Sequence, residues 1–247
     1  MKALMTGAAL GLALTLGGCG SGSEGGSTSS SGPVAPVPAP AGKSWTDVVS
    51  ATPQGGFVMG NPDAAVKVVE FASLTCGACA NFAEQGFPNL VDKYVKTGQV
   101  SFELRNFVRD PADLAAALLS RCSGPGPYFQ LSEQLFAAQP DWLGKLQSMS
   151  PAAQQQLQAA QPSQAVSIYA DQAGLLQFVR VRGVPAEKAQ ACLADQGALQ
   201  SLVDGTSSAA RDYDITGTPT FLINNRVVPN AANWATLEPQ IKAAVGG

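Results

Sequence analysis

The 247-residue chain contains no histidine. That absence removes Ser–His and Cys–His catalytic pairs, histidine-ligated metals and the usual proton shuttle near neutral pH. Charge is sparse as well: 13% of residues are charged, 15 basic against 18 acidic. No long basic run or interleaving of aromatic and basic residues is present, which argues against nucleic acid as a partner. No motif calls for a cofactor, and none is expected. What remains is a chain that is 45% hydrophobic, enough for a packed core, and long enough for one good-sized domain or two small ones.

The N-terminus reads as targeting sequence. Met1-Lys2 precedes an apolar run, Ala3 to Leu16, which is too short to span a bilayer comfortably and resembles an export signal. The run ends in Leu16-Gly17-Gly18-Cys19, similar to a bacterial lipobox, in which Cys19 would be lipidated after removal of residues 1–18. Acyl chains on Cys19 would anchor the protein to a membrane; plain cleavage, giving a soluble periplasmic protein, is the alternative. Gly20 to Gly32 is rich in Gly and Ser, and Pro33 to Pro40 alternates proline. Residues 19–44 are therefore expected to form a disordered tether reaching on the order of 40 Å, with the folded domain spanning 45–247.

Within that domain, Val66-Lys-Val-Val-Glu-Phe71 reads as a strand apolar on both faces, running into a helix start at Cys76-Gly77-Ala78-Cys79. The two cysteines, three apart in one helical turn, lie on one face and within disulfide reach. A thiol at a helix N-terminus meets unpaired N–H groups and the positive end of the dipole, which favours its thiolate. A reactive dithiol is the preferred reading. Two inert core cysteines and half a zinc site are the others. Zinc is disfavoured because Cys122 and Cys192 are isolated and histidine is absent.

The remaining elements are read from pattern. Gly55 to Gly60 suggests a short first strand, Pro88 a kink in the helix after Cys76, and Val100 to Phe107 a strand beside the first. A helical insertion, about 109–213, follows. Its segments are expected near 111–122 (capped by Asp110), 126–138, 140–147, 151–160, 163–180, 185–194 and 196–213. Leu114, Leu118 and Cys122 would form one stripe, and Leu199, Leu202, Val203, Ala210 and Tyr213 another. Thr216 to Asn224 returns to strand, Asn224-Asn225 forms a hairpin turn, and Trp234, Leu237, Ile241 and Val245 mark a closing helix. The fold class is α/β, thioredoxin-like, a mixed sheet flanked by helices and carrying a large helical insertion.

In this order of elements the chain resembles the DsbA family of exported thiol:disulfide oxidoreductases. The match runs from about residue 53 to 247, through Gly-Phe-Val-Met-Gly-Asn-Pro, Val-Val-Glu-Phe, Cys-Gly-Ala-Cys and Gly-Thr-Pro-Thr-Phe-Leu-Ile-Asn. The resemblance implies a cis bond before Pro219, with Thr218 and Pro219 facing the dithiol and binding substrate peptide. It implies Cys76 as the exposed nucleophile, Cys79 as the buried resolving thiol and Glu70 as proton relay, its carboxyl raised by burial. Arg182-Gly183-Val184-Pro185 resembles the same loop but leads into a helix, so Pro185 is assigned to a helical first position. Gly77-Ala78 departs from the Pro-His of the best-known members, which leaves thiolate stabilisation to the helix terminus and makes Cys76 less acidic than theirs.

Cys122 and Cys192 are either two buried thiols or, in an oxidising compartment, a structural disulfide, the favoured reading. The function expected is a membrane-tethered dithiol oxidase that introduces disulfides into exported proteins. Its substrates would be unfolded chains with free cysteines, and a quinone-linked membrane partner would reoxidise it. It would act as a monomer on the periplasmic side. A reductase or isomerase, and a non-catalytic assembly or binding factor, are the competing readings.

Overall fold

The structure, a computed structural model, describes residues 32–246. Six strands form one sheet in the order β1-β2-β4-β3-β5-β6. Their spans are β1 Val49–Ala51, β2 Phe57–Gly60, β3 Val66–Ala72, β4 Val100–Asn106, β5 Thr220–Ile223 and β6 Arg226–Val227. β3 lies inside the sheet, parallel to β4 from Val66↔Val100 to Ala72↔Asn106 and antiparallel to β5 with Glu70 opposite Phe221. Six of its seven residues are buried, as a strand covered on both faces requires. The short β1 at the sheet edge has no counterpart in the sequence reading.

A parallel pair needs a crossover, and the helical run 77–95 supplies it. It consists of α1 (Gly77–Asn81), a π-helical stretch (Phe82–Gly86), α2 (Phe87–Leu90) and a second π-helical stretch (Val91–Val95). The kink expected at Pro88 thus takes the form of a widened turn ahead of it, a usual way for a helix to absorb a missing N–H. Gly86 is required there, because a Cβ would lie 2.4 Å from the Phe82 ring.

The insertion between β4 and β5 holds α3 (Pro111–Arg121), α4 (Pro125–Ala137), α5 (Gln139–Gln147), α6 (Pro151–Ala159), α7 (Pro162–Gln172), α8 (Leu175–Arg180), α9 (Ala186–Ala194) and α10 (Gln196–Tyr213). The single helix expected over 163–180 is two, broken at Gly174 with φ 72°. Residues 112–120 of α3 are all buried, so α3 is a central helix rather than a one-striped one. On α10 Leu202 is buried and Leu199 and Tyr213 pack against the core as expected, while Val203, 37% exposed, and Ala210 face outward and Ala209 is buried instead. α11 (Trp234–Ala244) closes the domain through Leu237 and Ile241, both fully buried. The hairpin between β5 and β6 turns on Asn224 and Asn225, both at positive φ, as a two-residue turn requires.

The tether is shorter than its composition suggested. Val34 N–H donates to Val245 O and Val37 N–H to Thr97 O, each at 2.8 Å, and Trp45 Nε1 donates to Val37 O at 2.7 Å. Val34 also packs on the main core, so residues 33–44 dock on the domain rather than hang free. Proline removes the N–H at positions 33, 36, 38 and 40 only; Val34 and Val37 keep theirs and use them. Cys19 and residues 1–18 lie outside the described residues. No described helix is long and apolar enough to cross a membrane.

Candidate active site

β3 ends at Ala72, and the loop Ser73-Leu74-Thr75 carries the chain to Cys76, the N-cap residue of α1 with extended backbone (φ −92°, ψ 119°). Both Cys76 and Cys79 are free thiols. Cys79 is fully buried, and Cys76 is only 6% exposed, against the expectation of an exposed nucleophile. The cover comes from the loop before β5: Cys76 Sγ donates to Thr218 O at 3.2 Å. The Thr218–Pro219 peptide bond is cis, and Pro219 is buried. Pro185 instead precedes α9 at its N-cap, one position earlier than the first helical position assigned to it.

The two sulfurs are driven apart electrostatically. The Cys76 thiol is held down to about 5 by the hydrogen bond from Cys79, assisted by Thr218 and the N–H groups of Cys79 and Ala78, against the opposing effect of burial. Cys79 moves the other way: burial, its hydrogen bond to Cys76 and the Glu70 charge all push its thiol far up. The site thus favours the thiolate at Cys76 and the protonated thiol at Cys79. No imidazole is needed for this.

Glu70 lies on β3, 4% exposed, with its Oε1 buried and without a hydrogen-bond partner. Burial, then the neighbouring Cys76 charge, raises its carboxyl well above the usual range, which favours the protonated form. Its influence on Cys79 places it within electrostatic reach of the buried sulfur.

Three residues that hold the site were not read from the sequence as site residues. Asp113, fully buried on α3, accepts from Leu74 N–H at 2.7 Å and Arg109 N–H at 3.0 Å, and burial pushes its carboxyl up to about 7. Arg109 donates to Ser73 Oγ at 3.0 Å and Thr75 Oγ1 at 3.1 Å, while Thr75 Oγ1 donates to Asp110 Oδ2 at 2.9 Å. Gln139, the first residue of α5, donates from Nε2 to Leu74 O at 2.7 Å and Cys76 O at 3.0 Å. The only signals in the sequence were Asp113 in a capped first turn and a glutamine beside a proline.

A groove of about 540 Å³ lined by Gly77, Ala80, Asn81, Phe136, Gln139 and Pro140 runs beside the dithiol. Another, of about 680 Å³ between α3, α7 and α10, touches the site only through Arg109 and Asp110. Cys122 and Cys192 are joined in a disulfide with Cα atoms 5.8 Å apart, so neither supplies a ligand to a metal at Cys76 and Cys79.

A thiol at a helix start whose surroundings favour its anion, a buried second thiol one turn on and a cis proline alongside lie together at the end of β3 on a thioredoxin-like sheet. The chain belongs to the thioredoxin family, whose model matches residues 52–243. Among solved structures it is similar to a protein-disulfide isomerase from Novosphingobium aromaticivorans, with 30% identity, 78% of this chain and 98% of that one covered, and a TM-score of 0.74. Alpha-DsbA1 of Wolbachia pipientis, at 23% identity and a TM-score of 0.61 over 76% of this chain and 90% of that one, shares the fold. Among curated proteins, Disulfide bond formation protein D of Bacillus subtilis is 25% identical over 81% of this chain and 83% of its own length. A Rickettsia bellii protein provisionally named a protein-disulfide oxidoreductase is 28% identical over 69% of this chain; the chain spans 58% of that relative's length.

Proposed function

We propose that the protein is a thiol:disulfide oxidoreductase of the DsbA type that works as a dithiol oxidase on exported proteins, tethered to a membrane through lipidated Cys19. The observation that carries this reading is Cys76 at the N-cap of α1, one turn from Cys79 and beside the cis Thr218–Pro219 bond, where the Cys79 thiol and the α1 N–H groups hold its thiol down to about 5. Stabilising that thiolate favours the reduced pair, and a pair that prefers to be reduced is an oxidant toward others.

In the oxidised enzyme a substrate thiolate attacks Cys76 Sγ, the Cys76–Cys79 bond breaks, and Cys79 leaves with its electron pair and takes a proton from Glu70. A second substrate thiolate then attacks the substrate sulfur of the mixed disulfide, and Cys76 leaves as the stabilised thiolate. The substrate has lost two electrons and the enzyme holds them as the free dithiol. A quinone-linked membrane partner would take them up. Thr218 and Pro219 would hold the substrate backbone beside Cys76, and the docked residues 33–44 leave 20–32 as the span between Cys19 and the domain.

A reductase or isomerase role is the second reading, favoured by the likeness to the Novosphingobium aromaticivorans isomerase structure. Equilibration of the Cys76–Cys79 pair with glutathione separates the two. A reduction potential well above the compartment's poise is expected, and one well below it would overturn the oxidase reading.

A further inference from the structure

The loop that presents Cys76 is closed from within by Cys76 N–H on Ser73 O and Thr75 N–H on Ser73 Oγ, but these bonds leave the carbonyls of Leu74 and Cys76 to other partners. Gly77 follows Cys76, with the widest backbone freedom of any residue, and nothing lies within 4 Å of where a Cβ on Gly77 would be. The neighbouring peptide planes are fixed from outside, by a side chain 63 residues away in sequence. Gln139 is 5% exposed, and both atoms its Nε2 meets are carbonyl oxygens, which only accept; the amide orientation is therefore dictated by its surroundings. Its own helix is anchored by Trp142, 2% exposed, whose Nε1 donates to Leu135 O at 3.0 Å.

We propose that Gln139 is a positioning residue for thiol–disulfide exchange: its carboxamide pins the carbonyls on either side of Thr75, so that the Cys76 sulfur stays against the N–H groups of the α1 turn. Cys76 O accepts from Ala80 N–H and from Gln139 together, so the Cys76–Gly77 peptide cannot rock without breaking two bonds. With Gln139 gone, only the helical bond remains. The peptide can then tilt, carrying the Ala78 and Cys79 N–H groups off the sulfur and its negative oxygen closer to it. Both movements penalise the thiolate and leave the neutral thiol nearly untouched.

The proposal rests on the exchange reading of the dithiol, and titrating the reduced full chain tests the two separately without any substrate. The readout is thiolate ultraviolet absorbance together with iodoacetamide alkylation across pH. Gln139→Met keeps the length of the side chain and removes both donors. Its Cys76 pKa is expected to rise by about half to one unit, a threefold to tenfold drop in thiolate at mildly acid pH. Gln139→Asn, too short to reach both carbonyls, should show a smaller rise and serves if the Met variant does not fold. Leu146→Ala, which loosens α5 without touching the loop, should lower the melting temperature and leave the thiol where it was. A folded Gln139 variant that titrates like the wild type, or a Leu146→Ala shift of equal size, overturns the proposal. A wild-type Cys76 that titrates near the ordinary value of about 8.5 overturns the exchange reading itself.

Discussion

The two cysteine pairs sit at opposite ends of α3 and do opposite things. At its start, Asp110 and Asp113 hold the loop that presents Cys76 and Cys79, three residues apart and unbonded. Just past its end, Cys122 is bonded to Cys192 across 70 residues. The side chain is the same in both. The difference is that Cys76 is met by the Cys79 thiol and by N–H groups that stabilise its anion, whereas Cys122 and Cys192 need only two helix ends brought to bonding distance. Reactivity is thus a property of the bracket around a sulfur, and stability a property of the chain length a bond closes.

Breaking either end should therefore give different symptoms. The largest effect is expected from Cys76→Ser, which removes the nucleophile and should reduce exchange to background, while Cys79→Ser should accumulate mixed disulfides on Cys76, read by mass spectrometry. The thiolate also predicts a pH signature. Since its folded value of about 5 lies below the ordinary 8.5 or so, its contribution to the stability of the reduced protein is full above about 8.5 and is lost as pH falls through about 5. Urea unfolding of the reduced protein against Cys76→Ser, from alkaline to acid pH, should show the gap closing. At the other end, Cys122→Ala with Cys192→Ala should cost about 4 kcal/mol from the 70-residue loop released, with the Cys76 titration unmoved. A shifted titration would mean that the bridge shares in the chemistry after all.

Two further changes separate holding the loop from moving a proton. Asp113→Ala strands the Leu74 and Arg109 N–H groups and should cost about 2–3 kcal/mol in stability, measured by denaturant unfolding. Glu70→Leu should slow exchange on the order of 100-fold at neutral pH, the lower end of what loss of a general acid costs. It should not lower the unfolding midpoint, because it removes a buried carboxyl oxygen that has no partner. A Glu70→Leu protein that exchanges at the wild-type rate would end the relay role.

What the sequence disclosed follows the same division. β3, the cysteine pair, the Asn224–Asn225 hairpin and the closing helix were legible because each is written in local spacing: apolar periodicity, a three-residue step, two turn residues. Asp113 and Gln139 were not, because their partners lie 39 and 63–65 residues away and a single sequence gives no distance between them. Locally Asp113 is one more acid in a capped first turn. The proline run failed for a related reason: its composition describes a free chain, and only the tertiary fold reveals that Val245 and Thr97 accept the N–H groups of Val34 and Val37. The stripe of α10 was drawn too wide, taking in Val203 and Ala210, because Leu202 and Val203 are both apolar and periodicity alone could not exclude the second.

The smallest expected effect concerns the outer layer of the same bracket. Thr75 is half-buried, and its hydroxyl accepts from Arg109 and donates to Asp110 at the protein surface, where water can replace either partner. Thr75→Val keeps the branched shape and removes both bonds, so it should cost about 1 kcal/mol or less. It should shift the Cys76 titration less than Gln139→Met, because the bonds it breaks do not reach the Cys76–Gly77 peptide. If Thr75→Val moved the thiol as far as the Gln139 change, the loop would be held by its exposed hydroxyl network rather than by the buried amide, and the contrast between inner and outer bracket would fail.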